Sequence, residues 1–129
     1  MPPISELQRL PTVYEQRLDR QGIFTTGLLL EVSETSTRRQ NLADQVGATT
    51  NDVDDWRDEA MLLNLARFGP LEHAVFAQAG ILGIRAVLDM PLDGFGLRIA
   101  HAARTLGVDP PDDLTIEGWW EQARTLEEE

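Results

Sequence analysis

The sequence contains no cysteine and no lysine, and only two histidines, His73 and His101. Without cysteine the chain cannot form disulfides, use a thiol nucleophile, or bind zinc or iron–sulfur clusters through thiolates. Neither histidine belongs to a His-Glu-x-x-His arrangement, and we expect His101 to be a packed or interfacial side chain. P-loop, dinucleotide and Ser-His-Asp motifs are also missing, so we predict no catalytic residue, no metal and no cofactor.

Long hydrophobic runs are missing as well. The longest, such as "GLLLEV" and "AVFAQAGILGI", are short or interrupted, and a membrane helix needs roughly 18 apolar residues. The first residues, "MPPISELQRL", do not have the charged-then-apolar layout of a signal peptide. We therefore expect a cytoplasmic protein without a membrane segment.

The charge is strongly negative, because 22 acids oppose 11 bases, all of them arginine, for a net charge of -11. The excess lies in residues 31–66 and 67–129, whereas residues 1–30 are neutral. A basic face supplies most of the affinity for nucleic acid, so this balance disfavours that class of partner. Acidic faces at 31–66 and 109–121 would favour a basic partner. The acidic run at 51–59 lacks a calcium-loop pattern, which predicts helix N-terminal acids and a solvated face.

Nearly all secondary-structure signals are helical, and strand alternation is absent. Segments are short and stop at Gly or Pro; Thr49 and Asp52 resemble a capping box, and Pro70 suits a first helical position. The "GFG" of 94–96 is expected to be a loop-to-helix transition. The apolar stripe predicted for the longest helix contains Val53, Trp56, Ala60 and Leu63, with Leu62 as a further candidate. The stretch "GFGLRIAHAARTLG" is amphipathic, with Leu97, Ala100, His101 and Arg104 in register. The pattern predicts an all-α chain without a sheet.

The chain repeats itself. "LQRLPTVYEQRLDRQGI" (7–23) aligns without a gap on "LARFGPLEHAVFAQAGI" (65–81) at an offset of 58, and "VDDWRDEAMLL" aligns on "IEGWWEQARTL" at an offset of 63. We predict two units of about 60 residues, at about 7–64 and 65–127, packed into one compact domain with an acidic tail at 127–129. The predicted repeat core is Leu10, Leu18 and Trp56 in the first unit and Phe68, Phe76 and Trp119 in the second.

The stretch "RFGPLEHAVFAQAGI" resembles a helix-hairpin-helix element. From Leu7 to Leu126 the chain is similar to the helical family catalogued as domain of unknown function 4332, on Phe68-Gly69-Pro70, Ala79-Gly80-Ile81, "NLADQVG", Trp56 and "WWEQARTL". The resemblance implies a pair of helix-hairpin-helix-like units, with no catalytic residues and no cofactor. Such hairpins can present backbone N–H groups to a phosphate at a helix N-terminus.

This sequence departs from the phosphate-binding pattern of glycine, apolar residue, glycine. Arg67 replaces the first glycine of the second hairpin and only Gly69 is kept, whereas Arg9 and Pro11 stand at both positions in the first hairpin. Gly69 either provides a positive φ for the turn or contributes to an anion site, which Glu72 would oppose.

Two functions stay open. We first expect a non-catalytic protein-binding module whose partner has a basic surface. The alternative is weak, non-sequence-specific nucleic-acid binding through the second hairpin, at Arg67, Gly69 and Pro70, with Arg38, Arg39, Arg98 and Arg104 as further phosphate contacts. Trp120 has no counterpart in the first unit, and it either covers the junction between the units or is an exposed anchor for a partner.

Overall fold

The computed structural model describes residues 2–128, with side chains described through residue 126. This part of the chain contains eight α-helices, one 3-10 helix at Ile4–Glu6, an isolated bridge between Pro3 and Thr25, and no sheet. The α-helices are α1 (Thr12–Arg20), α2 (Thr26–Val32), α3 (Ser36–Val46), α4 (Thr50–Leu63), α5 (Pro70–Gln78), α6 (Ile84–Leu88), α7 (Leu92–Thr105) and α8 (Asp113–Glu128). The all-α prediction is confirmed. The tail predicted at 127–129 lies outside the described side chains.

Short polar side chains start several helices. The hydroxyl oxygens of Thr25, Thr35 and Thr49 accept the backbone N–H three residues further on, at 3.2, 3.2 and 3.1 Å. At α4 the carboxylate of Asp52 also accepts the N–H of Thr49, at 3.0 Å, which completes the predicted capping box. Pro70 occupies the first position of α5, where its missing N–H removes no helical hydrogen bond.

Four glycines follow helix ends in the left-handed conformation: Gly22, Gly47, Gly80 and Gly107, with φ between 72° and 82°. After Gly22 and Gly80, the next N–H reaches back to a carbonyl five residues earlier, at 2.9 Å in both cases. This is the hydrogen bond of a Schellman motif. In the alignment of the two halves, Gly22 corresponds to Gly80 and Gly47 corresponds to Gly107. The helices that precede them therefore end in the same way in both units.

The contacts of the chain divide it into two compact units, Met1–Asn64 and Leu65–Glu129. In the first, α4 packs against α2 and α3, and α1 packs against α3. In the second, α8 packs against α6 and α7, and α5 packs against α7. Three helix pairings therefore recur in the two units in the same chain order, and the first unit adds a contact between α2 and α3.

Each unit buries its own core. The predicted stripe of α4 is buried: Val53, Trp56, Ala60 and Leu63. Of the six predicted repeat-core residues, Leu10, Leu18, Trp56, Phe76 and Trp119 are buried and Phe68 is half-buried. Aromatic rings dominate the second unit, where Phe76 meets Phe68, Phe95 and Trp119 at centroid distances of 4.8, 5.8 and 5.3 Å.

The buried face of α7 differs from the predicted one. The face containing Leu97 and His101 points to solvent, with Leu97 70% exposed. The buried face consists of Phe95, Ile99, Ala102 and Ala103. The "GFG" lies inside α7 rather than before it, since α7 begins at Leu92. Because Phe95 packs edge-on against Phe76, the aromatic core sets the rotation of α7. His101 is exposed, so of the two places expected for it the packed one is wrong, and the interfacial one stays a prediction.

Within the described residues, no helix combines the length and the apolar character that crossing a bilayer requires.

We expect Gly80→Ala to destabilise the protein by about 1 kcal/mol, because alanine is strained at a φ of +77°. A Cβ at this position meets nothing within 4 Å, so the cost is conformational and not steric. The matched control is Gly118→Ala, at an exposed and equally open position inside α8. It should stabilise by about 0.5–1 kcal/mol. Urea unfolding measures both, and a stable Gly80→Ala variant would contradict the role given to the left-handed conformation.

Candidate functional site: the two hairpins

We call residues 7–11, which lead from the 3-10 helix into α1, the first hairpin, and residues 65–69, which precede α5, the second hairpin. A carboxylate from α4 binds the first of these segments. Glu59 is 1% exposed, and its two oxygens accept the backbone N–H groups of Gln8 and Arg9, each at 2.8 Å. Hydrogen bonds from backbone N–H groups to an ionised carboxylate are among the stronger ones in proteins. These hairpin N–H groups are therefore already bound to an anion from the protein itself.

The side chain of Arg9 is also neutralised within the first unit. Its guanidinium contacts Asp55 and Asp58, both at 2.9 Å. The side chain of Asp58 is only 6% exposed, whereas that of Asp55 is 47% exposed. A cation held by two carboxylates contributes little positive potential to the surface, so Arg9 is a poor phosphate contact.

One face of α4 carries the acids of this site. Asp55, Asp58 and Glu59 are three and four residues apart, which places them on one side of the helix next to the buried stripe. The prediction of a solvated acidic face at 51–59 is wrong for Asp58 and Glu59, which are buried. Their spacing, together with an arginine in the first hairpin, was the available signal in the sequence.

The second hairpin has a neutral side chain in the equivalent place. The amide oxygen of Gln122 accepts the backbone N–H of Ala66 at 3.0 Å. Gln122 aligns with Glu59 at the offset of 63, and Ala66 aligns with Gln8 at the offset of 58. The indole N–H of Trp119 donates to the carbonyl of Ala66 at 2.7 Å, so α8 holds this hairpin through both backbone groups of one residue.

Arg67 has a different role from its counterpart Arg9. It is exposed and forms no ion pair with the described residues. In the second unit, Gly118 and the exposed Glu121 stand at the positions that correspond to Asp55 and Asp58. The pKa of Asp112 lies below its ordinary value, mainly because the backbone and side chain of Thr115 donate hydrogen bonds to it, and the charge of Arg67 lowers it further.

The turn of the second hairpin places its unusual backbone at Arg67 and not at Gly69. Arg67 has a φ of +59°, whereas Gly69 is extended, with a φ of -117°. The suggestion that Gly69 supplies the positive φ is therefore wrong. The N–H of Gly69 donates to the carboxylate of Glu72 at 2.8 Å, and Pro70 is exposed and has no N–H to offer.

Two of the predicted phosphate contacts bind the end of α2 instead. Arg38 donates to the carbonyl of Glu31 at 3.2 Å and lies 3.5 Å from Glu34. Arg39 donates to the carbonyl of Ser33 at 2.9 Å and lies 3.9 Å from Asp54. Both cations therefore stabilise the carbonyl end of a helix, where positive charge is favourable.

Arg57 joins the same helix end from α4. It donates to the carbonyl of Leu30 at 3.0 Å and to the hydroxyl of Ser33 at 2.8 Å, and that hydroxyl donates to the carbonyl of Leu29. Burial lowers the pKa of Arg57, and the neighbouring charge of Arg39 lowers it further. The guanidinium nevertheless stays charged at neutral pH.

The remaining predicted contacts lie in the second unit. Arg98 is exposed on α7, and Arg104 donates to the carbonyl of Ala100 at 3.2 Å. Trp120 is half-buried, its indole N–H donates to the carbonyl of Met90 at 2.9 Å, and the guanidinium of Arg124 lies 3.3 Å from the centre of its ring. Trp120 is therefore fixed by partners inside its own unit.

Within the described part of the chain, no three acidic or histidine side chains gather closely enough to hold a metal ion. Every buried side-chain nitrogen or oxygen described has a hydrogen-bond partner.

A known sequence family covers most of the chain. The family described as "Domain of unknown function (DUF4332)" matches residues 9–126. The chain belongs to this family, as its resemblance predicted. No curated protein and no solved structure matches the chain.

We expect Glu59→Ala to destabilise the first unit by about 3 kcal/mol, because it leaves two backbone N–H groups without their acceptor. Gln122→Ala removes one neutral hydrogen bond at the equivalent place and should cost about 1 kcal/mol. Glu59→Gln keeps the shape of the side chain but loses one acceptor, so it should fall between these values. Urea unfolding provides the comparison, and equal losses for Glu59→Ala and Gln122→Ala would contradict the stronger role of the carboxylate.

Arg67→Gly tests the left-handed turn of the second hairpin. Glycine removes a backbone penalty of about 1 kcal/mol, partly offset by its greater freedom in the unfolded chain, so stability should stay equal or rise. Arg9→Gly is the matched control, because it breaks the pairs with Asp55 and Asp58 and should cost on the order of 2 kcal/mol. Thermal and urea unfolding measure both variants, and a clear loss in Arg67→Gly would show that its side chain supports the fold.

Proposed function

We propose that this protein is a non-catalytic interaction module, built from two helix-hairpin-helix-like units, that binds a protein partner with a basic surface. The observation that carries the proposal is the use of the hairpin donors within the chain. Glu59 occupies the N–H groups of Gln8 and Arg9, and Glu72 occupies that of Gly69. A phosphate would have to displace a carboxylate at each of these groups.

The distribution of charge supports the same conclusion. Arg9, Arg38 and Arg39 pair with acids of the first unit, and Arg17 and Arg57 bind backbone carbonyls there. Since the acids outnumber the bases 22 to 11, much negative charge stays on the surface. Such a surface attracts basic partners and repels polyanions.

Weak nucleic-acid binding through the second hairpin is the second candidate, and one observation favours it. Arg67 is exposed beside a hairpin whose acceptor, Gln122, is neutral, so this hairpin carries local positive charge that the first one lacks. Because binding of this kind depends on phosphate contacts, it would weaken steeply with salt.

Fluorescence anisotropy with labelled duplex and single-stranded DNA distinguishes the two candidates. The protein-binding proposal expects no detectable binding even at low salt, whereas the second candidate expects dissociation constants of about 10⁻⁴–10⁻⁶ M at physiological salt, the usual range of non-specific sites. If the second candidate is correct, Arg67→Glu abolishes binding and the salt dependence falls. Arg20→Glu makes the same charge change at an exposed site on α1 and is the control. Tight binding lost only in Arg67→Glu would overturn the protein-binding proposal.

The protein partner is sought directly by cross-linking in native cells, followed by reconstitution of the purified pair. The proposal expects a partner with a basic surface and an association that weakens as ionic strength rises. A reconstituted partner with an acidic surface, or binding unaffected by salt, would contradict it.

A further inference from the structure

A groove of about 240 Å³ opens in the first unit between the N-terminal segment and α1. Its walls carry Pro3 from the segment, Glu15 and Asp19 from α1, and Phe24 from the connection to α2. The groove thus combines an aromatic ring with two carboxylates, and neither hairpin contributes to it.

Phe24 is held in place by its backbone while its ring stays in solvent. The N–H of Ile4 donates to the carbonyl of Phe24 at 3.0 Å, and the N–H of Thr26 donates to the carbonyl of Pro2 at 2.9 Å. The side chain of Ile4 is buried, yet Phe24 is 53% exposed. An aromatic ring on a fixed backbone beside a groove offers a contact surface without a cost for ordering the chain.

Glu15 and Asp19 lie one helical turn apart on the wall formed by α1. Among the described residues, neither forms an ion pair. Arg17, between them in sequence, donates to the carbonyl of Val46 at 2.8 Å, at the end of α3. The two carboxylates therefore face the groove without a cation from their own helix between them.

We propose that this groove receives an arginine side chain of the protein partner, an inference that rests on the proposed function. Two unpaired carboxylates complement the charge of a guanidinium, and its planar fork can donate to both. The exposed ring of Phe24 supplies the face on which a guanidinium stacks. A lysine ammonium would find the same charge but would stack less well.

The second unit offers a built-in comparison. At the offset of 58, Glu15, Asp19 and Phe24 correspond to His73, Ala77 and Leu82. These residues bring no carboxylate and no phenyl ring, so the equivalent place cannot recognise a guanidinium in this way. Recognition of arginine is assigned to the first unit alone.

The experiment is an NMR titration of the ¹⁵N-labelled full chain with a short acetylated and amidated peptide that contains one arginine. Matched peptides carry lysine or the neutral isostere citrulline at the same position. We expect amide shifts at Glu15, Asp19 and Phe24, with affinity decreasing from arginine to lysine, and no saturable shifts with citrulline. The region of His73, Ala77 and Leu82 should stay unshifted.

Variants identify the groups that bind. The double variant E15Q/D19N should weaken the arginine peptide about fivefold or more, since exposed ion pairs contribute modestly one by one. Phe24→Leu, which installs the residue of the second unit, should weaken it about threefold. The control E31Q/D44N makes the same net charge change at exposed positions elsewhere in the first unit and should leave the affinity within about 1.5-fold.

Other results would overturn the proposal: equal binding of the citrulline peptide, shifts confined to other surfaces, or equal losses in E15Q/D19N and E31Q/D44N. The outcome is separable from that of the proposed function. If a reconstituted basic partner binds E15Q/D19N and Phe24→Leu as tightly as the natural chain, arginine recognition by the groove is contradicted and the proposed function is supported. If the arginine peptide binds the groove but no basic partner is found in the cell, the groove is supported and the proposed function is contradicted.

Discussion

The first unit depends on one buried carboxylate. Glu59 reaches from α4 to two backbone N–H groups about fifty residues earlier, so it joins the longest helix of the unit to the segment where the chain enters α1. An ionised group with 1% exposure is tolerated only when its oxygens are bound. The two N–H groups satisfy it, and in return the hairpin has a fixed path. Arg9 then completes the arrangement by neutralising Asp58 beside it.

The second unit solves the same problem without charge. Gln122 offers one neutral acceptor, and Trp119 adds an indole donor, so the hairpin is held by two hydrogen bonds to Ala66. Aromatic packing around Phe76 supplies the rest. Because Gly118 and the exposed Glu121 stand where the first unit has Asp55 and Asp58, Arg67 forms no ion pair with the described residues. It keeps a left-handed conformation that glycine would adopt more easily.

Local chemistry made much of this fold predictable. Threonine caps, the proline of α5 and the glycines after helix ends act through neighbouring backbone groups, and the stripe around Trp56 follows helical periodicity. The burial of Glu59 was missed, because its donors lie about fifty residues away and an acid is ordinarily exposed, so the spacing of the acids on α4 was a weak signal. The predicted face of α7 was wrong because Phe95 and Leu97 are both apolar, so the sequence pattern does not distinguish them. The packing of Phe95 in the aromatic core of the unit decides which of the two is buried. The groove beside α1 and the exposed position of the Phe24 ring also depend on contacts between residues that are distant in the sequence.

Because every base is an arginine, the contacts inside the units and the charge on the surface depend on the same side chains. A guanidinium has five donors, so one arginine can bind a carbonyl and a hydroxyl or carboxylate together, as Arg57 and Arg39 do. Arginines used in this way serve helix ends and hairpins inside the units. They are then unavailable to balance the acids at other places, and Glu15 and Asp19 are among the acids that form no ion pair within the described part of the chain. The arginines stabilise contacts within the units, and surface carboxylates therefore remain available to a cation from another molecule.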